Sequence, residues 1–222
     1  MDLDFWQQRW NSDETGFHQK TVNPYLSYFY DTKGPGLDQR SSLKVFVPLC
    51  GKSADLHWLS GKGYSVLGVE CSDIAVKAFF DEQNIKHTIT PSATHQRYAS
   101  DSIEILLGDF FTLKNDEMDD VTDVFDRASL IALPEDMRRQ YVMKMTEMLK
   151  TGTRTLLITL AYDQDEMDGP PFSVTEEEVI DLYADHYKID KLIVKDTLND
   201  EPRFRERGLT SLKENVYKLT KL

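Results

Sequence analysis

The sequence has few of the residues and runs that mark secreted, membrane or metal-binding proteins. It contains only two cysteines, Cys50 and Cys71, among 222 residues, which argues against a disulfide framework and favours two reduced thiols. The five histidines show no paired spacing with one another or with cysteine, so we expect no metal site. No apolar run approaches the length of a membrane span, and the acidic start MDLD leads into no apolar segment. We therefore expect a cytoplasmic protein that has no signal peptide and no membrane partner.

Positive charge is also scarce. The chain has 26 lysine and arginine residues against 38 aspartate and glutamate residues, which gives a formal net charge of −12. Because binding to phosphate backbones requires a basic surface, this balance argues against a nucleic-acid partner. The length and a hydrophobic content of 40% are typical of one globular domain with a full core.

Glycine-rich phosphate loops are missing as well. Residues 50–53 read CGKS, like the end of a phosphate loop, but that motif needs a glycine at the position of Phe46, so an NTPase is disfavoured. Residues 162–172, YDQDEMDGPPF, resemble a calcium loop. With Asp163 as position 1, however, positions 5 and 6 are Met167 and Asp168, and the pattern fails.

The chain does contain a strand–loop–helix–strand unit between Leu43 and Asp73. Residues 44–48, KVFVP, are typical of a buried strand. A tight loop over 49–51 precedes a helix for which Ser53 is the expected N-cap. A second strand is predicted over 64–69, directly before Glu70. This arrangement is half of a nucleotide-binding α/β sheet.

Glu70 is the residue of this unit that points most directly to a ligand. It lies 19 residues after Gly51, close to the spacing at which an acidic residue meets ribose hydroxyls in such sheets. Because the loop keeps only one glycine, the close backbone approach that a pyrophosphate needs is disfavoured, and with it a dinucleotide. S-adenosylmethionine has a ribose and an adenine but no phosphate, and it fits best.

Further strands and helices follow this unit. Strands are predicted over 103–107, 121–125, 153–161, 187–195 and 215–220, and helices over 73–84, over 134–150 and after Ser173 or Thr175. Residues 91–102 and 204–208 are predicted to be loops. Ligands of parallel sheets lie beyond the carboxyl ends of the strands. Asp109 and Phe110 are therefore candidates for binding adenine, Arg127 is a candidate for a ligand contact, and the stiff loop 169–172 is a candidate wall of a substrate pocket.

Residues 1–42 are predicted to be an aromatic N-terminal arm and linker, ahead of an α/β core over 43–222. The spacing of Phe5, Trp6 and Trp10 is helical, whereas 10–18 is expected to be a loop. Such an arm packs on the sheet, or it closes over a ligand as a lid that excludes water. Residues 31–42 are a polar linker with glycine and proline. We expect one domain over 1–222.

Several of these stretches together resemble the thiopurine S-methyltransferase family. They are FWQQRW with GFHQ, then VFVPLCGKS, GYSVLGVE, DRASL, GPPF and FRER. The likeness covers almost the whole chain and implies a Rossmann-like class I methyltransferase fold. That α/β fold has a mostly parallel sheet of seven strands in the order 3-2-1-4-5-7-6, an antiparallel last strand, and helices on both faces.

The resemblance also implies site residues. The cofactor S-adenosylmethionine, which leaves as S-adenosylhomocysteine, would be bound by family positions that match Trp10, Leu49, Glu70, Asp109, Phe110 and Arg127. Substrate positions match Phe17, Arg127, Pro171 and Arg207. Asp109 departs from the animal members, which lack an acid there, and residues 23–42 also diverge. We expect a monomer that acts on a small-molecule thiol, with no metal.

The implied reaction is an in-line displacement in which an aromatic sulfur takes the methyl group. A thiopurine sulfur ionises readily, so no catalytic base is assigned, and alignment and desolvation carry the rate. Three alternatives stay open. They are a methyltransferase of the same fold that acts on selenium, tellurium or halide species, a non-catalytic protein that keeps a nucleoside site, and the disfavoured dinucleotide oxidoreductase.

Overall fold

Strands and helices alternate along most of the chain in the computed structural model, which describes residues 3–32 and 40–222. The described strands are β1 (Lys44–Val47), β2 (Ser65–Glu70), β3 (Thr88–Pro91), β4 (Gln96–Ala99), β5 (Ile103–Leu107), β6 (Val121–Arg127), β7 (Arg154–Ala161), β8 (Tyr187–Asp196) and β9 (Lys213–Lys221). The described helices are α1 (Leu3–Asn11), α2 (Pro24–Thr32), α3 (Ala54–Gly61), α4 (Asp73–Glu82), α5 (Glu135–Met148), α6 (Glu176–Tyr183) and α7 (Pro202–Glu206). None of these helices is both long and apolar enough to cross a membrane.

The chain divides into two compact units, one ending at Phe125 and one running from Asp126 to Leu222. The division falls within β6. The predicted linker over 31–42 lies mostly outside the described residues. The single domain expected from the sequence stays a prediction.

The first unit is built on a sheet with the strand order β3-β4-β5-β2-β1-β6. Strands β5, β2, β1 and β6 are parallel, and they confirm the predicted order 3-2-1-4 of the first four expected strands. Helices α3 and α4 pack on β2 and β5. Their N-caps are Ser53 and Ser72, whose side chains accept hydrogen bonds from Asp55 N and Ala75 N. Serine at these positions satisfies backbone donors that a helix start leaves unpaired.

The described residues form nine strands and not the seven that were expected. The two additional strands, β3 and β4, form an antiparallel hairpin, and β4 pairs antiparallel with β5. Most of this hairpin had been predicted to be a loop over 91–102. Every residue of β3 is exposed, and Tyr98 is the buried residue of β4. The hairpin is therefore held mainly by its backbone pairing and by Tyr98, whose ring stacks on Phe80 with 6.0 Å between the centroids. Its side chains carry no alternating apolar pattern.

The N-terminal arm contains two helices. The predicted helical spacing of Phe5, Trp6 and Trp10 is confirmed by α1, although the expected loop begins after Asn11 and not at Trp10. The second helix, α2, was not predicted. Its buried residues Leu26, Phe29 and Tyr30 have helical spacing, and the Asn23 carboxamide caps it by accepting hydrogen bonds from Tyr25 N and Leu26 N at 3.0 and 3.4 Å.

The second unit contains three strands in the order β7-β9-β8, and β9 is antiparallel to both neighbours. This confirms the order 5-7-6 and the antiparallel last strand. The charged loop predicted over 204–208 is wrong, because residues 202–206 form α7. Phe204 is buried in an apolar cluster with Tyr162 and Leu212, so a tertiary contact fixes a helix that its charged sequence does not indicate.

Candidate active site

The loop after β1 has a left-handed backbone at two positions. Leu49 has φ = 44° and Gly51 has φ = 53°. The Cys50 N–H donates to Val69 O of β2 at 3.0 Å, which holds the loop against the next strand. At position 51 a Cβ atom would lie 3.0 Å from Cζ2 of Trp10. Glycine is therefore required both by the backbone and by the indole that covers it.

The Glu70 carboxylate joins the two loops that follow β1 and β2. Its Oε2 accepts a hydrogen bond from Gly51 N at 2.8 Å, and its Oε1 accepts one from Ser72 N at 2.8 Å. The residue is 5% exposed. Oε1 also accepts a long hydrogen bond from Cys71 Sγ at 3.5 Å. A carboxylate has about four lone-pair positions, so Oε2 can accept a further hydrogen bond, and Oε1 can accept one in place of the weak thiol donor. The two oxygens thus suit a pair of adjacent hydroxyls such as those of a ribose.

Burial changes the proton affinity of the groups around Glu70. Burial raises the pKa of Glu70, and the hydrogen bonds from Ser72 and Gly51 oppose that rise. Burial, and then the charge of Glu70, raise the pKa of Cys50 and of Cys71. A thiol with a raised pKa stays protonated and is a poor nucleophile. Both thiols are therefore kept protonated by their surroundings.

Helix α1 lies on both of these loops. The Trp10 ring covers Gly51 and meets the Phe17 ring edge to face, with 5.5 Å between the centroids. One turn earlier, the Gln7 carboxamide donates to Cys71 O and accepts from Ser72 Oγ, each at 3.1 Å. The arm is thus fixed to the loops after β1 and β2 by an aromatic contact and by an amide.

The turn after β5 contains the third candidate contact. Asp109 is half-buried, and its Oδ1 accepts from Phe111 N at 2.9 Å. The Gly108 N–H donates to the backbone oxygen of Glu70 at 2.9 Å, which ties this turn to the end of β2. Phe110 is buried, so its ring is largely enclosed by the protein.

Because β5, β2 and β1 are adjacent and parallel, their carboxyl ends meet at one edge of the first unit. The structure brings six of the predicted residues together there: Trp10, Phe17, Leu49, Glu70, Asp109 and Phe110. Two hydrogen-bonded links, from Gly51 to Glu70 and from Glu70 to Gly108, connect the three loops. In the described residues no cluster of three or more His, Cys, Asp or Glu side chains could hold a metal ion.

The other predicted residues belong to the second unit. Arg127 is partly exposed at the end of β6, and the next residue, Ala128, has φ = 62°. The preceding Asp126 is buried and accepts from Tyr141 Oη at 2.7 Å and from Leu130 N at 3.4 Å. Asp126 thereby fixes the turn that presents Arg127.

Pro171 lies in a loop that the structure holds at several points. Its carbonyl oxygen accepts from Tyr162 Oη at 2.6 Å, and Phe172 N donates to Ile131 O at 2.7 Å. Arg207, exposed at the end of α7, donates to Pro170 O at 3.5 Å. Two of the predicted substrate residues, Pro171 and Arg207, therefore lie beside each other in this unit.

Comparison with known sequences identifies the family of this chain. The profile of the thiopurine S-methyltransferase family matches residues 1–222. The chain belongs to the thiopurine S-methyltransferase family. It is 42% identical to the thiopurine S-methyltransferase of Marinobacter nauticus over 100% of both chains, and 45% identical to that of Azotobacter vinelandii over 99% of both. The protein is thus an S-adenosylmethionine-dependent S-methyltransferase.

Solved structures agree on the fold. A SAM-dependent methyltransferase from Anabaena variabilis superposes with a TM-score of 0.64 at 14% identity, covering 99% of this chain and 95% of that one. A 1,6-didemethyltoxoflavin-N1-methyltransferase from Burkholderia thailandensis, with its substrate and S-adenosylhomocysteine bound, gives 0.65 at 14% identity, covering 99% and 86%. At these identities the likeness establishes the Rossmann-like α/β methyltransferase fold of this family member.

Three residues that support the site of this thiopurine S-methyltransferase family member were not predicted from the sequence. They are Gln7, Ser72 and His95. Ser72 directly precedes the helix predicted over 73–84, and from that place in the chain its N–H donates to Glu70 Oε1. Gln7 lies three residues before Trp10 on α1, a spacing that does place the two side chains on one face. His95 belongs to the unpredicted hairpin, and the sequence carries no signal for it.

Proposed function

We propose that the methyl acceptor is the sulfur of a thiopurine or of a similar aromatic or heterocyclic thiol. The observation that carries the proposal is the Glu70 carboxylate, held by Gly51 N and Ser72 N at the edge where the ends of β1, β2 and β5 meet. Full-length membership of the thiopurine S-methyltransferase family supports the choice of acceptor.

Residues of the first unit would hold most of the cofactor. Glu70 would accept hydrogen bonds from the two ribose hydroxyls, and Asp109 would accept one from the adenine amino group. Leu49, Trp10 and Phe110 would supply backbone and apolar contacts, with Trp10 already in place over Gly51. A cofactor contact of Arg127 stays a prediction from the family resemblance.

Residues that would contact the acceptor supply charge and shape. Arg127 and Arg207 would favour the anionic form of a thiol by charge pairing, since a guanidinium stays protonated throughout the physiological range. Pro171 and Phe17 would supply apolar surface. The Pro171 carbonyl is already fixed by Tyr162, so this wall needs no rearrangement before an acceptor binds.

The proposed methyl transfer requires little from the protein beyond correct placement of the cofactor and the thiol. When bound, S-adenosylmethionine supplies a sulfonium methyl group to an attacking sulfur in line with the bond that breaks. The protein aligns the two groups and excludes water. Burial raises the pKa of the Cys50 and Cys71 thiols, which would make them poorer nucleophiles than an ionised substrate thiol. We propose a monomeric cytoplasmic enzyme that acts on small molecules.

Binding of the cofactor product is the first experiment. Isothermal titration with S-adenosylhomocysteine should give micromolar affinity, and NAD should give no heat, because the loop lacks the glycines that a pyrophosphate needs. If neither ligand binds, the proposed cofactor site is wrong. Purified protein should then methylate 6-mercaptopurine. Methylation of selenite or tellurite without methylation of the thiopurine would replace the proposed acceptor.

Arg207→Ala tests the acceptor site. We expect the KM for a thiopurine to rise about tenfold, the amount that loss of a charged hydrogen bond gives, while the Kd for S-adenosylhomocysteine stays unchanged. The matched control is Arg205→Ala, since Arg205 is also exposed on α7 and its side chain bonds to Asn199. Equal KM values for the two variants would remove Arg207 from the site.

A further inference from the structure

The unpredicted β3–β4 hairpin reaches the candidate adenine site through one side chain. His95 lies at the end of the hairpin turn and is 4% exposed. Its Nε2 lies 3.1 Å from the backbone oxygen of Asp109, and its Nδ1 lies 2.8 Å from Thr94 Oγ1. We infer that His95 is a positioning residue that fixes Asp109 and thereby sets the selectivity for adenine over other bases.

The bonding partners of the ring define its role. A backbone carbonyl can only accept a hydrogen bond, so the Nε2 of His95 carries a proton and donates to Asp109 O. In the neutral ring Nδ1 is then an acceptor, and the Thr94 hydroxyl is its donor. Both ring nitrogens are used, and the orientation of the imidazole is fixed from two sides.

Gly108 provides the space for this contact. A Cβ atom at position 108 would lie 2.4 Å from Cδ2 of His95, so the ring occupies the place that any other residue's side chain would need. The turn Gly108–Asp109 is thus bonded to Glu70 O, through Gly108 N, and to His95. The Asp109 carbonyl also accepts from Thr112 N at 3.0 Å and from Thr112 Oγ1 at 2.8 Å, so His95 is the partner that ties this carbonyl to the hairpin. None of these bonds involves the Asp109 carboxylate, whose Oδ1 accepts from Phe111 N.

These contacts fix the backbone of Asp109, and the position of its carboxylate follows from that backbone. The inference rests on the proposed role of Asp109 in accepting a hydrogen bond from the adenine amino group. A carboxylate in a fixed position attracts that amino group and repels the carbonyl oxygen that hypoxanthine has at the same position. If the turn loosens, the carboxylate can move away from either group, and the discrimination between the two bases falls.

The test is the ratio of the dissociation constants for S-inosylhomocysteine and S-adenosylhomocysteine, measured by isothermal titration. His95→Leu keeps much of the volume of the ring and removes its donor, and we expect the ratio to fall roughly three- to tenfold. His95→Gln places an amide N–H near the position of Nε2 and should restore the ratio to within about twofold. A loss of packing alone would weaken both ligands equally and leave the ratio unchanged.

One milder variant keeps the test informative if His95→Leu does not fold. Thr94 is exposed, so Thr94→Val removes the outer partner of the ring at little cost to folding, and a smaller fall in the ratio is expected. Thr90→Val, on the exposed strand β3 of the same hairpin, is its control. His57→Leu, at an exposed position of α3, is the control for His95→Leu. Both controls should keep the wild-type ratio.

Asp109→Asn separates this inference from the proposed function. An asparagine can still accept from Phe111 N, and its amide group would donate to hypoxanthine, so the ratio should fall or invert. If Asp109→Asn changes the ratio and His95→Leu does not, the positioning role of His95 is wrong. If Asp109→Asn leaves the ratio unchanged, the proposed adenine contact of Asp109 is itself wrong.

Discussion

At the scale of single residues, the Glu70 carboxylate bonds to the loops after β1 and β2 and is also the proposed acceptor for the ribose hydroxyls. Glu70→Gln keeps the size but replaces one acceptor oxygen by an NH2 group, which faces a backbone N–H of Gly51 or Ser72. We expect the Kd for S-adenosylhomocysteine to rise about ten- to a hundredfold, because hydrogen bonds to a charged group are worth about 1.5–3 kcal/mol.

The matched control is Glu82→Gln. Glu82 ends α4, and its exposed carboxylate pairs with Lys52, so its loss should leave ligand affinity within about twofold of the wild type. Calorimetric titration of both variants with S-adenosylhomocysteine, at one pH and salt concentration, shows whether Glu70 contributes to ligand affinity. Equal affinities for the two would show that Glu70 serves only to fix the loops.

Single residues also show what the sequence could and could not predict. The spacing between Gly51 and Glu70 was enough to predict an acid at the end of β2 that faces the loop after β1, because strand, loop and helix lengths vary little in such units. His95 was not predictable. Its contact with Asp109 joins residues 14 apart through a hairpin whose strands have no apolar alternation.

At the scale of elements, the two hydrogen bonds of Gln7 tie α1 to the loop after β2. Gln7→Ala should therefore increase amide hydrogen exchange over residues 3–11 and weaken S-adenosylhomocysteine several-fold, since Gln7 also bonds the Ser72 side chain beside Glu70. Gln8→Ala is a close control, because Gln8 is exposed at the next position of the same helix.

Exchange–mass spectrometry and titration of both variants test this expectation. Faster exchange without weaker binding would limit Gln7 to holding the arm. Equal behaviour of the two glutamine variants would mean that Trp10 and Phe17 alone hold α1 on the loops.

Most strands rich in buried apolar side chains were predicted correctly, whereas α2 was missed although its buried residues have helical spacing. Elements held by other means were missed as well. Strands β1, β2, β5 and β7 are rich in buried aliphatic residues, and all four were expected. The hairpin β3–β4 is held mainly by backbone pairing. Helix α7 is only five residues long and is fixed by one buried side chain, Phe204. Neither the hairpin nor α7 contains an apolar repeat that is long enough to be recognised in the sequence.

At the scale of the whole molecule, the chain is strongly acidic, and each of its two units buries a carboxyl group near a strand end. Glu70 is 5% exposed and Asp126 is 1% exposed. Burial raises the pKa of both, and that of Asp126 to about 6. A group whose pKa is higher in the folded state holds its proton longer there than in the unfolded chain, so the free energy of unfolding falls as pH rises between the two pKa values.

For Asp126 that window runs from about pH 4, where the unfolded carboxyl ionises, to just above pH 6. Between about pH 4 and about pH 7 we expect the wild type to lose roughly 2 kcal/mol of stability relative to Asp126→Asn, which has no proton to lose. The formal net charge of −12 adds self-repulsion as pH rises. This repulsion acts almost equally on the wild type and the variant, so it cancels in the difference between their unfolding free energies.

Urea unfolding of the wild type, Asp126→Asn and the exposed-site control Asp185→Asn at several pH values measures that difference in unfolding free energy. A wild-type curve that runs parallel to both variants would mean that Asp126 ionises alike in the folded and unfolded chains, and that the bonds from Tyr141 and Leu130 fully offset its burial.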